Sequence, residues 1–576
     1  MFKFNKRSVP IKQWSGELLG QILAIDTETD IRPFHEIADL CTMQVYNGKT
    51  AYYVMERDVV DFLFKHKQST MIMHNAPFDL DVIAKCLPNT GRAWTYGKVD
   101  RRQVFDTLIL YKLWHLAHIG FTPMKSSLAH CCSTLMNVVL NKDTDVRCTF
   151  EQYKNVNIED IPIEHLEYGA KDAVATWDLY FVIMSRIKQY DTHNTLLSYD
   201  IQIKGAVALD QIYKNGFSFD LEARDIWLKD KQEQLDKEAN ILATWGWCRG
   251  VKGIKDRYEN IISLIGLHNV LPRTEDGSIS SKSEDLEKYN DHPFISAYLK
   301  FQTLEKAISF VSDICAERVH SRYNLLVNTG RTSASKPNIQ NVPRVGGIRE
   351  MYIPAKGCKL VDIDYSALEL ATLAQVCINE VGYSKMGDLI NEGKCLHYYT
   401  ASKVYRKEES EITKDERQFS KIPNFAFPTN MSPNTFIDYC AGYNVPMTLA
   451  QATELKAAYA EAYPEISESF WRVPQGTDRS VTLTGRVRSN CTYTAYLNTK
   501  FQGLAADGAK LAMYNVCRAG YKIVAFIHDQ IVVEALTEEA LDTLDKVSSI
   551  MVDSMKVVTP DVKISVEGEV RDRWGK

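Results

Sequence analysis

Apolar and polar positions along the chain fall into two rhythms that alternate in blocks. Short apolar runs stop abruptly at acids: "QILAIDTETD" over residues 21–30, "CKLVDIDYSALEL" over 358–370, and "FIHDQIVVE" over 526–534. Runs of this length bounded by polar residues predict buried β-strands. The third run is split by His528-Asp529-Gln530, which predicts two strands with Asp529 at the hinge of a hairpin. Between these blocks the period lengthens. "EARDIWLKDKQEQLDKEANILATW" places apolar residues at helical spacing with charges of both signs between them, which predicts long amphipathic helices, with "LPRTEDGSISSK" as the loop at the tip of such a pair. "NTGRTSASKPNIQNVPR" has no period and predicts a loop rich in hydrogen-bonding side chains.

At 576 residues the chain is too long for one core, and three or four domains are expected. The charged and apolar fractions, 24% and 45%, place it among globular proteins. Thirteen cysteines occur without a Cys-x-x-Cys pair, so reduced thiols in a cytosol-like compartment are expected rather than disulfides or a zinc finger. The start lacks the apolar stretch of a signal peptide and no segment is apolar enough for a membrane span, which predicts a soluble cytoplasmic protein with no membrane partner. A net charge of −5 argues against a simple nucleic-acid coat, but carboxylate-rich sites in an enzyme could offset basic grooves.

Chemistry enters with the acids. Asp26 and Glu28 lie two apart on a predicted strand and so share a face, where they repel unless a cation sits between them. "MIMHNAPFDLDVI" adds Asn75 and Asp79, and "EYGAKDAVATWDLY" adds Tyr168 and Asp172 one helical turn apart. Such oxygen ligands suit Mg²⁺ or Mn²⁺. In this order the three pairs resemble the motifs of DEDDy 3′–5′ exonucleases, over residues 15–190. The resemblance implies a ribonuclease H-like α/β domain, two metal ions held by Asp26, Glu28, Asp79 and Asp172, Tyr168 orienting the attacking water, and Asn75 contacting a single-stranded DNA 3′ end. Asp106 is expected to cap its helix.

In the second metal site, Asp362 and Asp364 alternate onto one face of their strand, and periodicity does not choose between them. "DYSALEL", "RQFSKIPNFAF" and "HDQ" resemble motifs A, B and C of family A DNA polymerases, with "TGRTSASKPNIQNVP" and "NTKFQGLAADGAKLAM" matching in the same order. The resemblance implies a right-hand polymerase fold and assigns Asp364 and Asp529 as ligands of two catalytic metals. Arg417 and Lys421 would bind the triphosphate, Phe425 would pack on the incoming deoxynucleotide, His397 would also line the nucleotide site, and Glu369 would exclude a ribose 2′-hydroxyl. Arg331, Asn338, Gln340, Asn341, Asn498, Gln502 and His528 would contact the primer-template, Arg331 and Gln502 foremost, because minor-groove acceptors common to all base pairs let donors test pair geometry without reading sequence.

The expected layout is an exonuclease domain over residues 1–192 and a polymerase domain over 193–576, with thumb at about 200–325, palm at about 326–384 and 498–576, and fingers at about 385–497. No 5′-nuclease domain fits before residue 15, and the expected protein is a monomeric, proofreading replicative polymerase of phage type acting in a bacterial host cell. Two departures qualify this. Gln530 stands where the family has Glu, read as a neutral hydrogen-bonding substitute, since Glu534 is too distant to replace it. In motif B, Pro423 removes a backbone donor, Pro428 ends the helix, Ala426 replaces Gly, and Thr429 replaces an aromatic. The rivals are an active exonuclease with an impaired polymerase half and a non-catalytic primer-template binding protein. Since some phage relatives copy genomes in which 2-aminoadenine replaces adenine, tolerance of that base is expected, and a preference for it is a further variant that nothing in the sequence demonstrates.

Overall fold

The computed structural model describes residues 1–140, 146, 148–190, 192–443 and 445–575. The amino-terminal part is built on a six-stranded mixed sheet of β1 (Ile11–Gln13), β2 (Ile22–Thr29), β3 (Leu40–Tyr46), β4 (Ala51–Met55), β5 (Thr70–Met73) and β6 (Val104–Asp106) in the order β1-β4-β3-β2-β5-β6. β2 runs antiparallel to β3 and parallel to β5. Leu23, Ala24 and Ile25 are all fully buried, as a continuous apolar run requires when both faces of a sheet are covered. The covering helices include α1 (Ala76–Lys85), α2 (Thr107–Ile119) and α3 (Ile163–Ile187). α3 is anchored to the sheet by the Tyr53 hydroxyl, which donates to the Leu166 carbonyl at 2.8 Å.

α4 (Thr192–Asn215) leads into the second part. The predicted amphipathic pair forms as α5 (Leu221–Thr244) and α6 (Pro293–Ser312), joined through the helix Ile254–Leu264 and a turn in which the Thr274 amide donates to the Ser278 carbonyl. Around their far end lies a separate apolar core including Leu242, Trp247, Ile262, Phe294 and Tyr298.

The second sheet is antiparallel: β7 (Cys358–Tyr365), β8 (Lys522–Ile527), β9 (Gln530–Leu536) and β10 (Val566–Arg571), in the order β8-β9-β7-β10. Val361, Ile363 and Tyr365 face a helical layer, with the Tyr365 hydroxyl donating to the Met551 carbonyl of α11 (Ala540–Lys556) at 2.6 Å. The opposite face opens along the strand: Leu360 is buried, Asp362 partly covered and Asp364 exposed. Also placed around this sheet are α7 (Leu368–Val381), α8 (Leu396–Tyr405), α9 (Lys414–Ala426) and α10 (Tyr493–Arg518). The fold is mixed α/β, in two parts that are each built on a sheet of their own. Among the described residues, no helix is long and apolar enough to cross a membrane.

Candidate active sites

The "HDQ" segment forms the tight turn between β8 and β9, with His528 at φ +60°. Asp364 and Gln530 are direct cross-strand partners, so the turn places Asp529 beside the open end of β7. The structure also separates the two acids of β7. Asp362 accepts a hydrogen bond from Gln530 Nε2 at 2.5 Å and lies 3.7 Å from Arg571 Nε, whereas Asp364 stands exposed nearer the turn. Burial raises the pKa of Asp362, with Gln530 and Arg571 opposing the rise. Burial also raises that of Asp529, opposed by its own backbone amide and by His528 and Arg331. His528 is shifted down by burial and by the Arg331 charge. Glu534 is engaged elsewhere, accepting from Lys522 at 2.5 Å and from the Ala355 amide at 2.8 Å.

Glu369, in the first turn of α7, forms an ion pair with Arg331 and accepts from Gln502 Nε2 at 3.3 Å. Two predicted minor-groove donors and the predicted ribose gate thus meet at one point. Asn498 lies one turn before Gln502 on α10, and Asn338 starts the short helix Ile339–Asn341; each has a buried side-chain oxygen without a hydrogen-bond partner. Asn341 is exposed. Gln340 is different: it is buried, and its amide nitrogen donates to Thr332 Oγ1 at 2.8 Å and to the Phe526 carbonyl at 3.2 Å. Its donors are spent tying the loop to β8 and are not offered to a groove, a use that polar composition alone could not reveal.

On α9, Thr413 and Glu416 form a reciprocal capping box. Pro423 does not break the helix, which runs on to Ala426 and tightens into the 3-10 turn Phe427–Thr429 containing Pro428. Arg417 lies over the Tyr398 ring at 5.3 Å, and its Nε is buried without a partner. Among the described residues neither Arg417 nor Lys421 forms an ion pair with a carboxylate, and Phe425 is 54% exposed. His397 on α8 shares a 2.8 Å hydrogen bond with Asn424 and sits 6.5 Å from the Phe425 ring. Burial, then the Lys421 and Arg417 charges, push its pKa down to about 4, so the ring is neutral near pH 7. This cationic, partly unsatisfied surface suits a polyanion.

In the first part, Asp26 and Glu28 project from β2, and Tyr168 and Asp172 from the facing helix α3. Tyr168 is packed near Cys41 and Phe150. Asp79 on α1 is buried and accepts from Thr27 Oγ1 at 2.6 Å. Burial pushes its pKa up to about 7, opposed by the Thr27 hydroxyl and reinforced by Asp106. Asn75 precedes α1 at φ +70°, and Asp106 accepts from the Asn75, Ala76 and Leu108 amides at 2.8–3.0 Å, so it caps two helices. Among the described residues, no three His, Cys, Asp or Glu side chains converge to an ion-binding cluster. The donor chemistry nonetheless fits hard divalent cations: all the acids are oxygen ligands, and a cation would favour the charged form that burial disfavours at Asp79 and Asp529.

A family model described as DNA polymerase family A matches residues 254–576, and one described as 3′-5′ exonuclease matches residues 10–188. With the two acid-bearing parts, these matches define a DNA-directed DNA polymerase with an attached 3′–5′ exonuclease. The chain belongs to DNA polymerase family A. DNA polymerase I of Aquifex aeolicus is 26% identical over 545 residues, covering 88% of each chain. DNA polymerase I of Borreliella burgdorferi is 25% identical over 459 residues, 73% of this chain but only 49% of that protein, so the chain spans about half its length. A solved structure described as the POL domain of Pol1 from M. smegmatis in complex with DNA primer-template and dNTP superposes with a TM-score of 0.75 at 18% identity, over 97% of this chain and 96% of that one, and shows the shared fold.

Proposed function

We propose that this chain extends a DNA primer along a template by phosphoryl transfer and trims unpaired 3′ ends in its separate exonuclease domain. The observation that carries this reading is the register of β7 and β9, which sets Asp364 against the turn bearing Asp529 at the open end of a sheet. Asp364 and Asp529 would hold the divalent cations of the polymerase site, and Asp26, Glu28, Asp79 and Asp172 those of the exonuclease site. When bound, such ions neutralise charge on the reacting phosphate and lower the barrier to attack on it.

Arg417 and Lys421 bind the triphosphate, and Phe425 and His397 pack beside the nucleotide. Glu369 fills the space a ribose 2′-hydroxyl needs. Arg331 and Gln502 turn from Glu369 toward the minor-groove acceptors of the nascent pair, with Asn498 and Asn338 as further contacts. Tyr168 orients water at the exonuclease site, and Asn75 holds the strand end. We assign residues 1–192 to the exonuclease and 193–576 to thumb, palm and fingers, acting as a monomer. That the M. smegmatis structure is a primer-template and dNTP complex supports this choice of ligands.

Primer extension on a recessed duplex with Mg²⁺ and four deoxynucleotides tests the proposal. Full-length extension is expected. Digestion without extension would identify an exonuclease with an impaired polymerase half, and binding without either activity a primer-template binding protein.

A further inference from the structure

The polymerase site contains a pair of side chains that the assignment above leaves unused. Gln530 faces Asp364 directly across the ladder, yet its amide reaches diagonally to Asp362, two residues back on the same face of β7. The donor is the Gln530 amide nitrogen, 2.5 Å from Asp362 Oδ1. With the amide nitrogen on Asp362, the carbonyl oxygen of the same planar group takes no part in that bond, on a residue whose backbone is paired with Asp364.

A cation lies near Asp362. Arg571 Nε lies 3.7 Å from Oδ2, and the same guanidinium pairs with Glu569 at 2.5 Å and donates to the Gly575 carbonyl at 2.6 Å. Asp364, by contrast, is exposed at the open end of the strand. Of the two acids of β7, Asp362 is thus the one bonded to Gln530, and Asp364 is the more exposed and the nearer to the turn.

We propose that Asp362 is a positioning residue of the polymerase site: it locks Gln530 so that Oε1, a neutral oxygen, is offered beside Asp364 and Asp529 where a glutamate would offer a charged one. This rests on the polymerase reading and extends it, because it explains how the site works with glutamine at that position. A glutamate at 530 would bring a second carboxylate into contact with Asp362, and the repulsion would drive one of them away or force it to take up a proton. Glutamine at 530 and aspartate at 362 therefore require each other.

Reciprocal exchange tests the pairing. Asp362→Asn, Gln530→Glu and the double variant are made in the full chain carrying Asp26→Ala and Glu28→Ala, which weaken ion binding at the exonuclease site. Mn²⁺ affinity is read from the electron paramagnetic resonance of the free ion, with Asp364→Ala setting the background, and extension is resolved into kcat and KM for the deoxynucleotide. Gln530→Glu, which removes the donor, should weaken Mn²⁺ binding and lower kcat by about tenfold, the scale of a lost hydrogen bond to a charged group, and Asp362→Asn, whose amide oxygen still accepts from Gln530, should do so by less. The double variant restores a donor–acceptor pair with the polarity reversed and should return both quantities to within about threefold of the parent. Thermal unfolding midpoints of the four proteins separate this pattern from loss of folding: the single variants should lose Mn²⁺ affinity and kcat at a temperature well below midpoints that stay close to the parent's, and losses that merely follow a lowered midpoint would overturn the proposal. A Gln530→Glu single variant that binds Mn²⁺ and extends like the parent would overturn the proposal. So would a double variant no better than the worse single. If the parent itself did not extend primers, the polymerase reading would fall, and the Mn²⁺ pattern would still decide the pairing.

Discussion

Asp362 and Asp364 are two positions apart on one face of one strand, but they differ in burial and in distance from the turn of Asp529. The first accepts a hydrogen bond from Gln530 and lies 3.7 Å from Arg571 Nε, and the second is exposed beside the turn of Asp529. Asp364→Ala or Asp529→Ala should therefore reduce extension by on the order of a thousandfold while digestion of single-stranded DNA persists, and Asp26→Ala with Glu28→Ala should do the reverse. Parallel extension and digestion assays check this, and loss of both activities from either change would show that the sites are not independent. Asp79 makes a pH prediction. Burial raises its folded pKa to about 7, above its ordinary value, so protonation favours the folded state. That contribution is complete below about pH 4 and is lost as pH rises through about 7. In chelator, the unfolding midpoint of the protein relative to Asp79→Asn should fall across this window, whereas a constant difference would show that Asp79 ionises freely.

At the scale of elements, what was legible is what a local pattern encodes. The apolar run before Asp26 and the split run around Asp529 both formed strands, and Asp106 formed the expected cap. What was not legible depended on distant partners: Gln340 reads as a groove-facing amide until Thr332 and the Phe526 carbonyl are seen to hold it, and Gln530 finds Asp362 across 168 residues. The meeting of Arg331, Gln502 and Glu369 joins a loop, α10 and α7 in the same way. Glu369→Ala should open the space for a 2′-hydroxyl and raise ribonucleotide incorporation by about tenfold, measured by competition between dNTP and rNTP. A surface carboxylate would leave that ratio unchanged. The departures Ala426, at the end of α9, and Thr429, in the 3-10 turn after it, lie just beyond the cationic stretch. The extra amino group of 2-aminoadenine lies in the minor groove, where guanine carries its own, so the donors at 331 and 502 already meet that pattern. In competition opposite template thymine, 2-aminoadenine and adenine deoxynucleotides should be used about equally by the active enzyme and by Asp26→Ala. Discrimination seen only with an active exonuclease would place the choice in editing.

Over the whole molecule, the two halves are joined through unfinished backbone. The last carbonyls of α2 run out of helical partners, as at every helix end, although that of Leu116 still accepts from the capping Gly120 amide at 3.0 Å. Here they are satisfied from the polymerase half, by a segment at the end of the short hairpin Ser480–Val481 and Val487–Arg488. The Ser489 amide donates to Leu116, Ser489 Oγ to Ala117 at 2.6 Å, Asn490 Nδ2 to Ile119 at 3.1 Å, and Arg488 Nε to Gly120 at 3.0 Å. Thr122 and Lys112 add bonds to Asn328 and Asn324. Gly120 permits this close approach: it has φ +90°, and a Cβ there would overlap the Ser489 carbonyl oxygen. Gly120→Ala would combine about 1–2 kcal/mol of left-handed strain with displacement of the hairpin, while leaving both acid sets untouched. The expected result is a protein that still digests single strands and still extends matched primers, but unfolds in two resolved transitions and removes a mismatched primer end less often before extending it. Calorimetry and a mismatched-primer assay read the two effects. A single unfolding transition with unchanged mismatch removal would mean that this seam does not govern how the halves work together.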